Sequence, residues 1–309
     1  MVASFVHEAL MYQGTDEYLA VTVPFVEKGL AGREPVLVAV PEPRLDALGD
    51  ALGRRAAQVR FVDMTRVGRN PGKIIPWVLH TFLDEHPGRP VRIIGEPVWT
   101  DRTATEYPAC VQHEALVNVV FAGAALAILC PYDMARLPAE VLTDAARTHP
   151  VLVDIGARWD SPRYTEPDIV VAAFNRPLPE PDPRTPTLDF DLTSLPLVRE
   201  FVAVYAGRAG LSGRRLSDLQ LAVNELATNA IQHGGGTGSL RVWRDGRRVV
   251  SEVRDGGRAV ARLAGRIPPP PDALSGRGLV LVNHLVDLVR VHTGPDGTAV
   301  RLYQDTVSR

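Results

Sequence analysis

The stretch RPLPEPDPRTPT, residues 176–187, constrains the rest of the chain most strongly. Its prolines at 177, 179, 181, 183 and 186 each remove a backbone donor and fix φ, so neither a helix nor a central strand can run through it. Closely spaced prolines instead give an extended, semi-rigid spacer. A chain of 309 residues is thereby cut into two pieces of ordinary domain size. The predicted organisation is a first domain over 1–175, a Pro-rich linker over 176–192 and a second domain over 193–309. With 45% hydrophobic residues, 23% charged residues and a net charge of -2, both pieces can bury a core, and the balance does not suit a nucleic-acid-coating or disordered chain.

The N-terminal MVASFVHEALMYQG has no basic segment followed by a long apolar one, so no secretory signal is visible and a cytoplasmic location is expected. The longest apolar run, VVFAGAALAILC at 119–130, is too short to span a bilayer and fits a helix end, a turn and a strand. Cys110 and Cys130 lie far apart, with no CxxC spacing or Cys/His clustering along the chain. They read as buried thiols and imply neither a zinc site nor a disulfide framework.

Before the prolines, apolar runs at 35–40, 59–64, 91–99 and 125–133 alternate with the helical patterns EYLAVTVPFVEKGLA, PRLDALGDALGRRA, PGKIIPWVLHTFLDEH and YPACVQHEALVNVVFAG. That alternation predicts α/β layering around a largely parallel sheet. After the prolines the order changes. Two helices precede two strands joined at Asp245-Gly246, a hairpin signal, and a Gly/Pro-rich stretch leads to the helix GRGLVLVNHLV and two final strands around GPDG. This pattern predicts an α+β domain with helices on one face of a mixed sheet.

The helix LAVNELATNAIQH, residues 221–233, carries more polarity than a core helix requires. At the helical period Leu219, Val223, Leu226 and Ala230 form its buried arc, while Glu225, Asn229 and Gln232 fall beside it. Four-residue spacing stacks the Glu225 carboxylate and the Asn229 amide on one side, oxygen donors of the type magnesium accepts together with water and phosphate. Glu225 could orient or deprotonate a nucleophile. Asp255 ends a strand and is followed by Gly256 and Gly257, which let a flat base approach backbone unobstructed while the carboxylate accepts an exocyclic amine. Gly276 and Gly278 flank the start of an apolar helix, whose free amides suit phosphate. Thr298, after Gly297, could reach a base through water. Taken singly, these features equally describe a solvated helix face, a strand-ending turn and a helix cap.

Their order within one short segment is more specific. The succession of E-x-x-x-N helix, D-G-G strand end, G-R-G helix and G-T strand resembles the Bergerat-type ATP-binding domain of the GHKL superfamily over about 193–309. The resemblance implies ATP and Mg2+ as cofactors. It implies Glu225 as catalytic base and Asn229 as magnesium ligand, Asp255 and Gly257 in the adenine box, Gly276 and Gly278 on the phosphate side, and Thr298 near the base. The family pattern D-x-G-x-G departs here at Ala259, and four prolines at 268–271 should stiffen part of the lid. Where a histidine kinase would carry its H-E-x-R-x-P acceptor helix, this chain has prolines. His7-Glu8 and His113-Glu114 lack the Arg and Pro of that motif. The ATP domain resembles the bacterial anti-sigma regulatory-factor serine/threonine kinases, which implies a sigma factor and a STAS-type antagonist as partners. An orphan sensor histidine kinase and a non-catalytic, ATP-dependent sigma-binding protein are the competing readings.

The first domain resembles the MEDS sensory domain of methanogen and methylotroph regulators over about 1–165. The resemblance rests on His7, Tyr12, EYLA at 17–20, Pro24-Phe25, Gly29-Leu30 and Glu34-Pro35-Val36, with GEPVW later. It implies a RecA-like layered α/β fold without a phosphate loop, a small-molecule ligand and control over the ATP domain. His7, Glu96, Trp99, Tyr107 and His113 are candidate pocket groups. A second copy of the chain, forming a homodimer, is a further candidate partner.

Overall fold

A computed structural model of the chain describes residues 5–257, 261–269 and 276–306. The chain divides into two units, Met1–Phe174 and Asn175–Arg309.

The first unit begins with β1 (Val6–Tyr12), which passes through Gln13 alone into α1 (Gly14–Ala31), leaving no loop there to cradle a phosphate. There follow β2 (Val36–Val40), α2 (Glu42–Leu52), β3 (Arg60–Asp63), α3 (Met64–Val67), α4 (Pro71–Ile74), α5 (His80–Asp84) and β4 (Val91–Gly95). After them come α6 (Tyr107–Val120), β5 (Leu126–Asp133), α7 (Ala139–Thr148), β6 (Val151–Val153), β7 (Arg158–Asp160) and α8 (Pro167–Ala173). The seven strands form one sheet in the order β3-β2-β4-β5-β1-β6-β7, with every pairing parallel except β6 with β7. All five residues of β2 are buried, as expected of a strand covered on both faces. The layered α/β expectation therefore holds, with two differences. The segment PGKIIPWVLHTFLDEH, predicted as one helix, is interrupted by a π-type turn over Ile75–Leu79, where Pro76 has no N–H for a regular ladder. Strand β1 is the second difference, because His7 and Glu8 hide its apolar signal. Both are buried, and each has a partner: His7 meets Asn118 and Glu8 meets Arg158.

The second unit comprises β8 (Thr187–Asp191), α9 (Leu195–Arg208), α10 (Gly213–His233), β9 (Thr237–Asp245), β10 (Arg248–Asp255), α11 (Gly278–Leu285), β11 (Leu288–Gly294) and β12 (Gly297–Asp305). Its five strands run β11-β12-β10-β9-β8. The expected mixed sheet is corrected, since every pairing is antiparallel. Tight turns join β9 to β10 and β11 to β12, and a two-residue connection can link only antiparallel neighbours. On one face the sheet's Leu240, Val242, Val249, Val253, Val300 and Leu302 pack with Val198, Val202, Leu219, Val223 and Leu226 of α9 and α10 and with Val282 of α11. The helices are amphipathic for this reason, and all four core residues read from α10 are buried.

The linker expected over 176–192 ends earlier than its composition suggested. Residues 187–191 form the edge strand β8, paired with β9, and Phe190 enters the core. Pro179 and Glu180, before it, lie over the sheet's outer face. Arg301 donates to the Pro179 carbonyl at 2.8 Å, and Glu180 pairs with Arg241 and Arg254. Under this cover Glu252 is wholly buried and accepts from Arg241, Arg254 and Arg301. Among the described residues no helix is long and apolar enough to cross a membrane.

Candidate functional site

At the C-terminal end of α10 the chain turns through Gly234, Gly235 and Gly236 into β9. The latter two have φ of +101° and +87°, a region open to glycine. Antiparallel register sets Asp255, the last residue of β10, between Gly238 of β9 and Thr298 of β12. Helix, strand end and helix start surround a cavity of about 540 Å³ lined by Asn229, Asp255, Gly257, Gly276, Gly278 and Thr298, with an apolar wall from Leu226, Val253, Leu279 and Val300. Every residue read from the sequence as cofactor-binding thus meets in one place.

Glu225 lies at its margin. A Cβ at Gly278 would come within 3.1 Å of Glu225 Oε2 and 3.4 Å of Asn229 Nδ2, so the α10 pair abuts the first turn of α11. Gln232, on the same polar side in sequence, is exposed and does not line the cavity. Asp255 is half-buried, and burial raises its carboxyl above the usual aspartate range, opposed by one backbone donor. That donor is the Gly257 N–H, 2.7 Å from Oδ1, which leaves Oδ2 to meet a ligand. Thr298 Oγ1 donates to the Gly257 carbonyl at 2.7 Å. Its proton therefore fixes the glycine turn, while the oxygen keeps lone-pair capacity for an incoming donor.

Sequence reasoning missed Gly234. A Cβ there would sit 2.5 Å from the Asp255 carboxyl and 2.6 Å from the Ala230 carbonyl, while the Gly234 carbonyl accepts from Gly256 N–H at 3.0 Å. The end of α10 and the end of β10 can touch only through a glycine, and the run Gly234-Gly235-Gly236 was the available signal. His233 and the segment Ala261–Gly265 also line the cavity. Asn283 of α11 holds that segment by donating to Gly265 O at 3.2 Å. The departure at Ala259 and the prolines Pro270 and Pro271 lie outside the described residues.

A cavity of this volume suits a nucleotide-sized ligand. Its donor set fits one as well: a carboxylate with a free oxygen at a glycine-lined slot, and an amide and helix N-terminus at the other end.

Two family models match the chain. One is MEDS, the MEthanogen/methylotroph, DcmR Sensory domain, over residues 6–150, and the other is the histidine kinase-like ATPase domain over 188–304. The chain joins a MEDS domain to a histidine kinase-like ATPase domain. The ATPase domain's antiparallel α+β architecture is consistent with the GHKL fold. Among solved structures, the RsbU and RsbW domains of Rv1364c from Mycobacterium tuberculosis are 22% identical over 39% of this chain and 32% of that one, with a TM-score of 0.29. The Acinetobacter baumannii histidine kinase AdeS is 12% identical over 40% of this chain and 70% of that one, with a TM-score of 0.26. The chain spans about a third of the length of the first. No curated protein matches it.

Four of the five candidate pocket groups of the MEDS domain meet separate partners. Tyr107 donates to Asp144 at 2.7 Å, and the Arg102 guanidinium lies 3.6 Å from the centre of the Trp99 ring. Glu96, almost fully buried, stands 3.3 Å from Arg44, and its Oε2 has no hydrogen-bond partner. Burial pushes its carboxyl up to about 8, with Asp133 adding to the rise and Arg44 opposing it. His113 is buried on α6. His7 points instead toward Glu114, Cys130 and His149.

Proposed function

We propose that this chain is a regulatory protein kinase. Its ATPase domain binds Mg2+ and ATP, transfers phosphate to a serine or threonine of a STAS-type antagonist and engages a sigma factor, under control of the MEDS domain. One observation carries the reading: Asn229, Asp255, Gly257, Gly276, Gly278 and Thr298 line a single cavity, with Glu225 at its edge. Asp255 would select the adenine amine through its free oxygen, while Gly234 and Gly257 keep side chains out of that approach. Asn229 would hold magnesium, and the amides from Gly276 to the start of α11 would receive phosphate. ATP supplies the phosphoryl group. Glu225, next to the start of α11, would accept the proton of the partner's hydroxyl.

Product chemistry tests the assignment. With labelled ATP and STAS-type proteins of the same organism, the expected product is an acid-stable phosphoester on the partner. Glu225→Gln should lower transfer by roughly 10² to 10⁴ while keeping nucleotide affinity. Acid-labile label on this chain would instead establish a histidine kinase. Absence of label with every partner, with ATP altering only their affinity, would establish a non-catalytic binding protein.

A further inference from the structure

We propose that His7, Glu114, Cys130 and His149 of the MEDS domain form a closed binding site for one divalent transition metal of zinc's softness. The four residues come from four places: β1, α6, β5 and the position that caps α7. Strand geometry assembles the first pair. His7 and Ala9 point to the same face of β1, and Ala9 is the register partner of Cys130 on parallel β5. All four side chains are buried, and their potential ligand atoms lie within 4.8 Å of one another.

Four of the separations already match a tetrahedral site. His7 Nε2 to Glu114 Oε2 is 3.3 Å, His7 Nε2 to Cys130 Sγ is 3.4 Å, His149 Nε2 to Glu114 Oε2 is 3.6 Å and Cys130 Sγ to Glu114 Oε2 is 3.7 Å. Ligands at ordinary zinc bond lengths stand ~3.3–3.6 Å apart along the edges of a tetrahedron.

The outer hydrogen bonds fix which atoms face inward. Asn118 Nδ2 donates to the Thr148 carbonyl at 2.7 Å, so its Oδ1 is the atom that accepts from His7 Nδ1 at 3.0 Å. His149 Nδ1 lies 2.9 Å from the Ala145 carbonyl, which can only accept. Both rings therefore carry their proton on Nδ1 and direct an Nε2 lone pair into the cluster, the arrangement that outer acceptors impose on metal-binding histidines. His149 Nε2 has no hydrogen-bond partner although the ring is fully buried. Tyr132 donates to Glu114 Oε1 at 3.0 Å, leaving Oε2 for the centre. With both imidazoles neutral, two imidazole lone pairs and a carboxylate oxygen converge on a single donor, the Cys130 S–H. One thiol proton cannot satisfy three acceptors, and a cation can.

Charge and softness select the cation. On binding, Cys130 releases its proton to solvent, and one thiolate and one carboxylate neutralise a dication, so no net charge is buried. Thiolate and imidazole favour zinc over magnesium or calcium. A full set of four protein ligands belongs to a site that orders structure rather than one that turns over substrate.

The test uses the full chain, reduced and stripped with chelator, in excess Mg2+ to saturate the ATPase domain. Cobalt(II) should bind with one equivalent per chain and show tetrahedral d–d absorption with a thiolate-to-metal charge-transfer band. One equivalent of zinc should displace it and raise the thermal midpoint of unfolding. Cys130→Ser should remove the charge-transfer band. His149→Gln should weaken binding by more than the ~10–100-fold typical of losing an outer hydrogen-bond partner, and Cys110→Ser should leave the spectrum unchanged. A folded wild-type chain that takes up neither metal, or takes up cobalt without the charge-transfer band, overturns the proposal whether or not the variants fold. Retention of the band in Cys130→Ser does the same.

Discussion

Gly234 shows how one missing methyl group shapes the cavity proposed to hold nucleotide. Gly234→Ala places a Cβ against both the Asp255 carboxyl and the Ala230 carbonyl, so Asp255 must move. ATP affinity should fall at least about tenfold, the scale of a displaced charge-assisted hydrogen bond, in a chain whose circular dichroism is unchanged. Acid should act on the same atom. Because burial raises the Asp255 carboxyl, protonation should remove the acceptor and weaken ATP binding at a pH above the ordinary aspartate value of about 3.9. A titration of affinity against pH reads this directly, and Asp255→Asn should abolish the dependence. Glu96 has the opposite kind of readout. Its carboxyl lies at about 8 in the folded chain and 4.5 as an ordinary group. The folded state therefore holds a proton the unfolded state has lost, and the resulting stability is full in acid and disappears as pH rises through 8. The free energy of unfolding from denaturant titration should decline between pH 4.5 and about 8 by up to about 1.4 kcal/mol per pH unit, and Glu96→Gln should flatten the curve.

At the scale of elements, the Pro-rich stretch marks a domain boundary but belongs to the domain that follows it. Its carbonyl and carboxylate groups pair with arginines of β9, β10 and β12, which a composition-based reading cannot see because every partner is distant in sequence. A fragment starting at 175 should unfold at a higher temperature than one starting at 190, which lacks most of β8. Glu252→Ala should cost about 3 kcal/mol in chemical denaturation, since it strands the buried Arg301. The α10 periodicity and the Asp245-Gly246 hairpin were legible because local pattern alone determines them. Strand β1 and the interruption at Pro76 were not, since His7 and Glu8 find their partners only after folding and one proline does not announce a π-type turn. The residues that line the cavity were readable as an ordered series of short motifs. Gly234 was not, because its requirement arises from contact between the end of α10 and β10. The His7, Glu114, Cys130 and His149 cluster was hidden for the same reason, as its members are spread over more than 140 residues of sequence.

At the scale of the whole molecule, if the MEDS domain controls the ATPase domain as proposed, removal of 1–174 should change the rate of phosphate transfer or the grip on a partner. Coupling of about 1–3 kcal/mol corresponds to roughly five- to 150-fold, and equal behaviour of the full chain and the fragment in every ligand tried would remove the sensory role. All of this depends on the cavity between α10, β10 and α11 being a nucleotide site. Calorimetric titration of the full chain with ATP in the presence and absence of Mg2+ examines that directly. One ATP per chain should bind in a magnesium-dependent manner, with affinity reduced about ten- to a hundredfold in Asp255→Asn. A folded chain that binds no ATP, or an Asp255→Asn chain that binds it as tightly as wild type, would contradict the assignment.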